Sequence, residues 1–336
     1  MKTGLLLINL GTPDAPNFAG VWRYLREFLA DKRVVSLSAP LRFLLLYGVI
    51  LPLRVAKTTH AYQQIWTQRG SPLRFHGEEL RDKLQAFLGV TYQVVLAMRY
   101  GRPSLEQALL DLQDCDRLLI LPLYPQYSSA ATGSSLEMVF KRLAQQTFIP
   151  DVTVVREFYQ HPAFIKALAH RIAPDVAGQD MLIFSYHGLP QQQVQQAGCD
   201  PLCATDCVVT SQPLLQSNCY RAQCYQTSYL LAQALQLSAH QYTTVFQSRL
   251  GRTPWIQPYM EERLQQLAEQ GIKRIAVACP SFVADCLETL EEIGMRTRAL
   301  WHTLGGESVT LIPCLNVDDE WCEAILSFFS IVPTNE

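Results

Sequence analysis

Short apolar runs alternate along the whole chain with longer segments in which apolar residues recur every three or four positions. The first pattern predicts buried strands and the second amphipathic helices, and their alternation is that of βαβ units around parallel sheets. The predicted strands of the first half are Gly4 to Asn9, Gln93 to Met98, Arg117 to Leu123 and Val152 to Glu157. Those of the second half are Met181 to Tyr186, Thr243 to Ser248, Lys273 to Cys279 and Val309 to Cys314, in the same order and at similar spacing. The fold class is α/β.

The turns repeat as well. Leu10-Gly-Thr-Pro echoes His187-Gly-Leu-Pro, Arg99-Tyr-Gly-Arg-Pro echoes Arg249-Leu-Gly-Arg-Thr-Pro, and Leu123-Tyr-Pro stands where Cys279-Pro does. Whole-domain duplication follows: two similar Rossmann-like lobes, residues 1–150 and 151–317, with a cleft between them and a C-terminal helix over 318–336. No turn carries the glycine spacing of a nucleotide-phosphate loop, so nucleotides are not what these lobes hold.

One segment interrupts the pattern. Phe43 to Leu53, inside the stretch 38–54, is continuously apolar and as a helix measures about 16 Å, against about 30 Å of bilayer hydrocarbon. It is therefore expected not to span. It reads either as a buried helix or as an apolar lip, flanked by Arg42, Arg54 and Lys57, that guards a greasy pocket or touches a membrane surface. At 336 residues with 49% apolar content, both lobes have material for a core. A net charge of −2 with mixed signs argues against a nucleic-acid partner. The first apolar run is broken by Asn9 and reads as a strand rather than a signal peptide, so the ten cysteines are expected as thiols or metal ligands, not a disulfide framework.

The chemistry concentrates at predicted strand ends. His187 follows an apolar strand and precedes Gly188 and Pro190, which places its ring in a turn beyond the carboxyl end of a strand, where ligands of open α/β sheets bind. After the Lys273 strand come Asp285, Glu288 and Glu292, spaced i, i+3 and i+7 on one stripe of a helix. A solvated helix face is one reading of that row. The other is an imidazole with several carboxylates, a donor set that holds a divalent cation loosely and passes it on. Other strand ends supply Arg99, Tyr100, Tyr127, Ser128 and Trp255, a lining suited to a large flat apolar ligand with a few acidic groups.

Half of the cysteines lie in one segment, 198–224, as Cys199, Cys203, Cys207, Cys219 and Cys224. Reduced thiols, a four-cysteine zinc site and an iron–sulfur cluster all fit that spacing.

With these motifs in view the sequence resembles the ferrochelatases. The match runs through Leu10-Gly-Thr-Pro, Phe28-Leu-Ala-Asp-Lys-Arg-Val-Val, Gly70-Ser-Pro-Leu, Met98-Arg-Tyr-Gly, Leu121-Pro-Leu-Tyr-Pro-Gln-Tyr-Ser, Ser185-Tyr-His-Gly-Leu-Pro, Phe246-Gln-Ser-Arg, Pro254-Trp and Ala284-Asp-Cys-Leu-Glu-Thr-Leu-Glu. The resemblance implies a lyase of the last step of haem synthesis, which inserts Fe²⁺ into protoporphyrin IX with release of two protons. His187 and Glu288 are then the catalytic, metal-contacting pair, Asp285 and Glu292 an acidic relay, and Leu10, Arg99, Tyr100, Tyr127, Ser128 and Trp255 the porphyrin contacts. It also implies that 38–54 is a lip over the porphyrin, and a cytoplasmic location, with contact to the inner membrane if the lip touches it.

Some ferrochelatases carry an internal cysteine-rich insert holding a [2Fe-2S] cluster, which makes Cys199, Cys203, Cys207 and Cys219 the expected ligands here and Cys224 the reserve. The type with C-terminal ligands is excluded by Ser129 and by a C-terminus with only Cys314 and Cys322. Cys286 stands where some relatives have histidine, a softer ligand for any relay. The competing readings are a chelatase for cobalt or another tetrapyrrole, and a non-enzymatic tetrapyrrole or metal carrier.

Overall fold

The computed structural model describes residues 2–196, 218–249 and 253–331. The chain divides into two compact units. The first is the chain up to Tyr124 with Ser128–Glu157 and the segment from Ile325; the second is Pro125–Tyr127 with Phe158–Ala324.

In the first unit, β1 (Thr3–Thr12), β2 (Tyr92–Gly101), β3 (Arg117–Pro122) and β4 (Asp151–Val154) form a parallel sheet in the order β2-β1-β3-β4. In the second, β5 (Met181–His187), β6 (Tyr242–Gln247), β7 (Arg274–Ala278) and β8 (Ser308–Leu311) form a parallel sheet in the order β6-β5-β7-β8. All eight predicted strands are present and the two orders are the same, as duplicated lobes require. The first sheet is completed by β4, which pairs with β3 from Arg117↔Asp151 to Ile120↔Val154, so the first unit runs past residue 150.

The central strands are apolar on both faces because helices cover both. Leu5 to Ile8 on β1 and Ile183 with Phe184 on β5 are fully buried. In the first core Leu6, Ile8 and Ile120 pack with Ala108, Leu109 and Val139 of flanking helices. In the second, Ile183, Val245, Ile275 and Val277 pack with Leu264, Leu267 and Trp301.

The apolar segment after the first helix, Phe18–Ala30, is part of one helix of 27 residues, Ala39–Ile65. That is about 40 Å, long and apolar enough to cross a membrane by length and composition, which corrects the shorter length read from the apolar run alone. A π turn, Leu46–Ile50, precedes Pro52, whose missing N–H interrupts α-helical bonding there. The far half is tied to the unit's core: Leu51, Val55, Tyr62 and Ile65 are buried, and Tyr62 packs edge-on against Tyr24 with ring centroids 6.3 Å apart. A bilayer-spanning pose would strip that face from its core. The opposite face is bare instead, with Phe43, Leu44 and Leu53 exposed at 64%, 68% and 73%.

Candidate active site

The second unit gathers the histidine and the carboxylates. His187 is the last residue of β5, in register with Gln247 of β6, rather than in the turn beyond it. Gly188 follows in a tight place: a Cβ there would come within 2.8 Å of the Gln247 carbonyl oxygen and 3.1 Å of the Trp255 ring. The strand therefore leaves the sheet through the one residue that fits. The Nδ1 of His187 lies 2.6 Å from the Gly188 carbonyl oxygen. A carbonyl only accepts, so Nδ1 carries a proton, and in the neutral ring Nε2 is then the nitrogen with the lone pair. Trp255 and Phe282 flank the ring at centroid distances of 6.3 and 6.5 Å.

The helix bearing the carboxylates is not α-helical at first. Glu288–Thr297 is a π-helix of 10 residues, and Asp285 lies before its start. The expected i, i+3, i+7 stripe is therefore broken, because wider turns and an irregular lead-in shift each residue's bearing. Glu292 lies one turn further along this helix. Burial raises its carboxyl above the ordinary value, against hydrogen bonds from Ser248 and the nearby charges of His187 and Arg296, while Glu288 pushes it further up. Ser248 donates to it twice, from its amide (2.8 Å) and its hydroxyl (2.6 Å), and does so from a left-handed backbone with φ 67°. A non-glycine residue in that region at a strand end marks a functional constraint. Glu288 is half-buried beside Glu292, and its carbonyl oxygen accepts from Gln247 Nε2 at 2.9 Å.

Asp285 has a different task from the expected relay. Its Oδ1 accepts from the Cys314 amide and the Thr289 hydroxyl, both at 3.2 Å, and its Oδ2 accepts from Asn316 Nδ2 at 2.8 Å. The carboxylate fixes the start of the π-helix to the loop after β8. Cys286 corrects another expectation: its thiol is buried, and burial together with Glu288 holds it protonated, so it packs rather than ligates. Among the described residues no three histidine, cysteine, aspartate or glutamate side chains gather as a closed metal site.

In the first unit, several expected porphyrin contacts are already engaged. Arg99 pairs with Asp31 (Nη2 to Oδ2, 2.7 Å), Tyr100 donates its hydroxyl to the same oxygen at 2.9 Å, and Arg99 Nε bonds the Ser134 hydroxyl at 2.7 Å. Burial pushes the Tyr100 phenol well above its ordinary range. Ser128 is buried and accepts from the Ala131 amide at 3.1 Å, opening a π turn, Ser129–Gly133. Leu10 is half-buried near the end of β1. A cavity of about 250 Å³ beside the Asp31 cluster is lined by Lys32, Arg42, Arg99, Glu137 and Lys141, among others. Of the remaining contacts, Tyr127 is half-buried, its amide donating to Gln223 Oε1 at 2.6 Å, and Trp255 is the ring beside His187.

Of the cysteine segment, Cys199, Cys203 and Cys207 lie outside the described residues. Cys219 is half-buried at the N-terminal boundary of the helix Tyr220–Ala234. Cys224 is fully buried within that helix, and burial pushes its thiol far up.

Sequence reasoning passed over Asp31, Ser134, Gln247, Ser248, Tyr220 and Ser281. Asp31, Gln247 and Ser248 stood inside motifs already noted, Phe28-Leu-Ala-Asp and Phe246-Gln-Ser; the other three carried no signal of their own.

Two four-stranded parallel sheets of equal order, one ending in a histidine beside buried carboxylates, define the chelatase class. The chain is similar to SirB of Bacillus subtilis solved with Fe³⁺, at TM-score 0.55 and 12% identity over 98% of this chain and 95% of that one. It is also similar to CbiX, the terminal enzyme for siroheme biosynthesis in denitrifying bacteria, at TM-score 0.50 and 13% identity over 97% and 98%. At such identities the likeness is one of fold. The chain belongs to the ferrochelatase family, whose sequence model matches residues 2–330. It is 53% identical over 329 residues to the ferrochelatase of Legionella pneumophila (strain Lens), covering 97% of this chain and 98% of that protein. To the ferrochelatase of Coxiella burnetii (strain Dugway 5J108-111) it is 44% identical over 330 residues, covering 96% and 92%.

Proposed function

We propose that this enzyme inserts Fe²⁺ into protoporphyrin IX, the last step of haem formation, with His187 taking protons from the macrocycle. The observation that carries this is the His187 ring: Nδ1–H is committed to the Gly188 carbonyl, so Nε2 is a base or ligand without any rearrangement. A free-base porphyrin must lose two pyrrole protons as the metal enters. Nε2 accepts a proton, and Glu292, whose carboxyl burial raises above its ordinary value, takes protons onward beside it. Glu288 serves as the carboxylate that meets the incoming metal. Trp255 supplies an aromatic face next to the imidazole. Arg42, lining the charged cavity of the first unit, suits an acidic group of a tetrapyrrole, whereas Arg99 in the same cavity is held by Asp31.

The test is purified protein with Zn²⁺, or with Fe²⁺ under anaerobic conditions, and protoporphyrin or coproporphyrin, followed by visible absorption. Metallation of protoporphyrin is expected. Metallation of coproporphyrin alone, or insertion only of cobalt into another tetrapyrrole, would change the substrate, and tight binding without turnover would make the protein a carrier.

The exposed start of the Ala39–Ile65 helix is a lip of peripheral rather than integral character, placing a cytoplasmic protein against the inner membrane. Its residues Phe43, Leu44 and Leu53 form an apolar surface of a kind that soluble proteins hide unless it has a use. Leu46, by contrast, is buried and belongs to the core. Replacement of Phe43, Leu44 and Leu53 by serine is expected to weaken liposome binding or porphyrin capture while leaving the melting temperature in place. A fall in melting temperature alone would make the segment ordinary core.

The cysteine segment is proposed to hold a [2Fe-2S] cluster through Cys199, Cys203, Cys207 and Cys219. Support comes from the spacing of the four thiols and from the half-buried position of Cys219, set against the buried, protonated Cys224. Such a cluster would contribute a cross-link of the insert. Anaerobically purified protein is expected to be reddish-brown, with iron and acid-labile sulfide at about two each per chain. Colourless protein with one zinc per chain would replace the cluster by a zinc site.

A further inference from the structure

His187 has two backbone groups that its sheet does not satisfy. Successive residues of a strand turn their N–H and C=O groups toward opposite neighbours. The Gly188 amide donates to the Gln247 carbonyl oxygen at 2.9 Å, on the β6 side, so the N–H and C=O of His187 fall on the β7 side. There the strand has ended: Phe184 pairs with Ala278, the last residue of β7, and Cys279-Pro280 turns away.

Two side chains stand in for the missing strand. Ser281 Oγ accepts from the His187 amide at 3.2 Å, and the Tyr220 hydroxyl donates to the His187 carbonyl oxygen at 2.8 Å. Tyr220 is itself buried and opens the helix Tyr220–Ala234, an element polar and buried together. Arg221 Nε donates to the Gln257 carbonyl oxygen at 3.2 Å, the Thr227 hydroxyl to that of Tyr159 at 3.0 Å, and Ser228 meets both the Tyr186 and Thr244 hydroxyls at 2.9 Å. A helix anchored in so many directions holds the Tyr220 hydroxyl in one place.

We infer that Tyr220, with Ser281, is a positioning residue for the proposed metallation: the pair clamps the His187 peptide so that the ring keeps its Nδ1 proton on the Gly188 carbonyl and its lone pair on Nε2. This rests on His187 being the base. The peptide joining His187 to Gly188 carries the clamped carbonyl at one end and leads directly to the carbonyl that fixes the ring's tautomer. The close fit around Gly188 leaves no slack to absorb a rotation there. Loss of the phenol leaves this peptide held from one side only, by the Gly188 amide on the Gln247 carbonyl oxygen, and a small tilt about that bond displaces the Gly188 carbonyl.

The experiment compares Tyr220→Phe, Ser281→Ala and Tyr186→Phe with the wild-type protein in Zn²⁺ insertion, and records nuclear magnetic resonance spectra of the isotope-labelled histidine rings. Tyr186→Phe removes a buried phenol of similar size whose partner is Ser228. Expected for Tyr220→Phe is a fall in kcat of about tenfold with KM for porphyrin unchanged, and a His187 ring signal moved from the Nδ1–H tautomer toward a mixture. Ser281→Ala moves both readouts in the same direction to a smaller degree, and it decides the question if Tyr220→Phe does not fold. Tyr186→Phe lowers the melting temperature and leaves kcat and the ring signal alone. Unchanged kcat and ring signal in Tyr220→Phe, or equal losses from both phenols, would overturn the inference. If the wild-type protein metallates no porphyrin, the proposed activity fails, while the ring spectra still decide whether Tyr220 sets the tautomer.

Discussion

Replacement of His187 by alanine is expected to slow metal insertion by about 10²- to 10⁴-fold, the range of a positioned acid–base group, while porphyrin binding and the fold persist. The side chain sits half-buried at the last position of β5, outside both buried core clusters, with Trp255 and Phe282 beside it. The measurement is steady-state insertion of Zn²⁺ beside porphyrin fluorescence titration and a thermal melt. The base is lost, so kcat falls. The apolar faces that would hold a flat ring remain, so affinity does not fall with it. Near-native turnover in this variant would move the base elsewhere and leave Glu292 as its natural successor.

Asp31→Ala is expected to cost about 3–5 kcal/mol of stability, as breaking a buried ion pair from one side does. Arg99 and Asp31 expose only 14% and 8% of their side chains, so the guanidinium would be left largely buried with its counter-charge gone. Burial by itself would raise the Asp31 carboxyl. Hydrogen bonds from Ser134, the Arg33 amide and Tyr100, with the charge of Arg99, overcome that and hold it below the ordinary aspartate value of 3.8. A depressed carboxylate stabilises the folded state above its unfolded pKa and loses that contribution as pH falls through the folded one. The gap between wild type and Asp31→Ala should therefore be full at neutral pH and narrow as pH drops below 3.8. Denaturant unfolding at neutral and acidic pH measures both the size and the trend; a gap that is small at neutral pH would show that Arg99 finds water instead.

The strands were legible because each is a compact apolar run between turn residues, and a parallel sheet buried on both faces leaves that trace in the sequence. The duplication was legible from the turns, since Leu10-Gly-Thr-Pro and His187-Gly-Leu-Pro close equivalent strands. Three things were not. The π-helical turns at Leu46, Ser129 and Glu288 depend on bonding that no periodicity announces, so the acidic stripe was drawn on the wrong helix geometry. The helix Tyr220–Ala234 buries Arg221, Gln223, Gln226 and Thr227, and no hydrophobic pattern marks a polar helix as core. Asp285 and Arg99 have the composition of a site, and only their partners, distant in sequence, show that Asp285 fixes a loop and Arg99 neutralises Asp31.

The equal order of the two sheets places Leu10 on β1 where His187 stands on β5, each followed by glycine and, two residues later, by proline. A repeated frame is thus polarised: at matching places near the strand ends, β5 carries a titratable ring and β1 an inert aliphatic side chain. If His187 is the base proposed above, proton transfer belongs to a single half, and the other copy of the same architecture is free to diverge in size and shape without disturbing the acid–base balance of its twin.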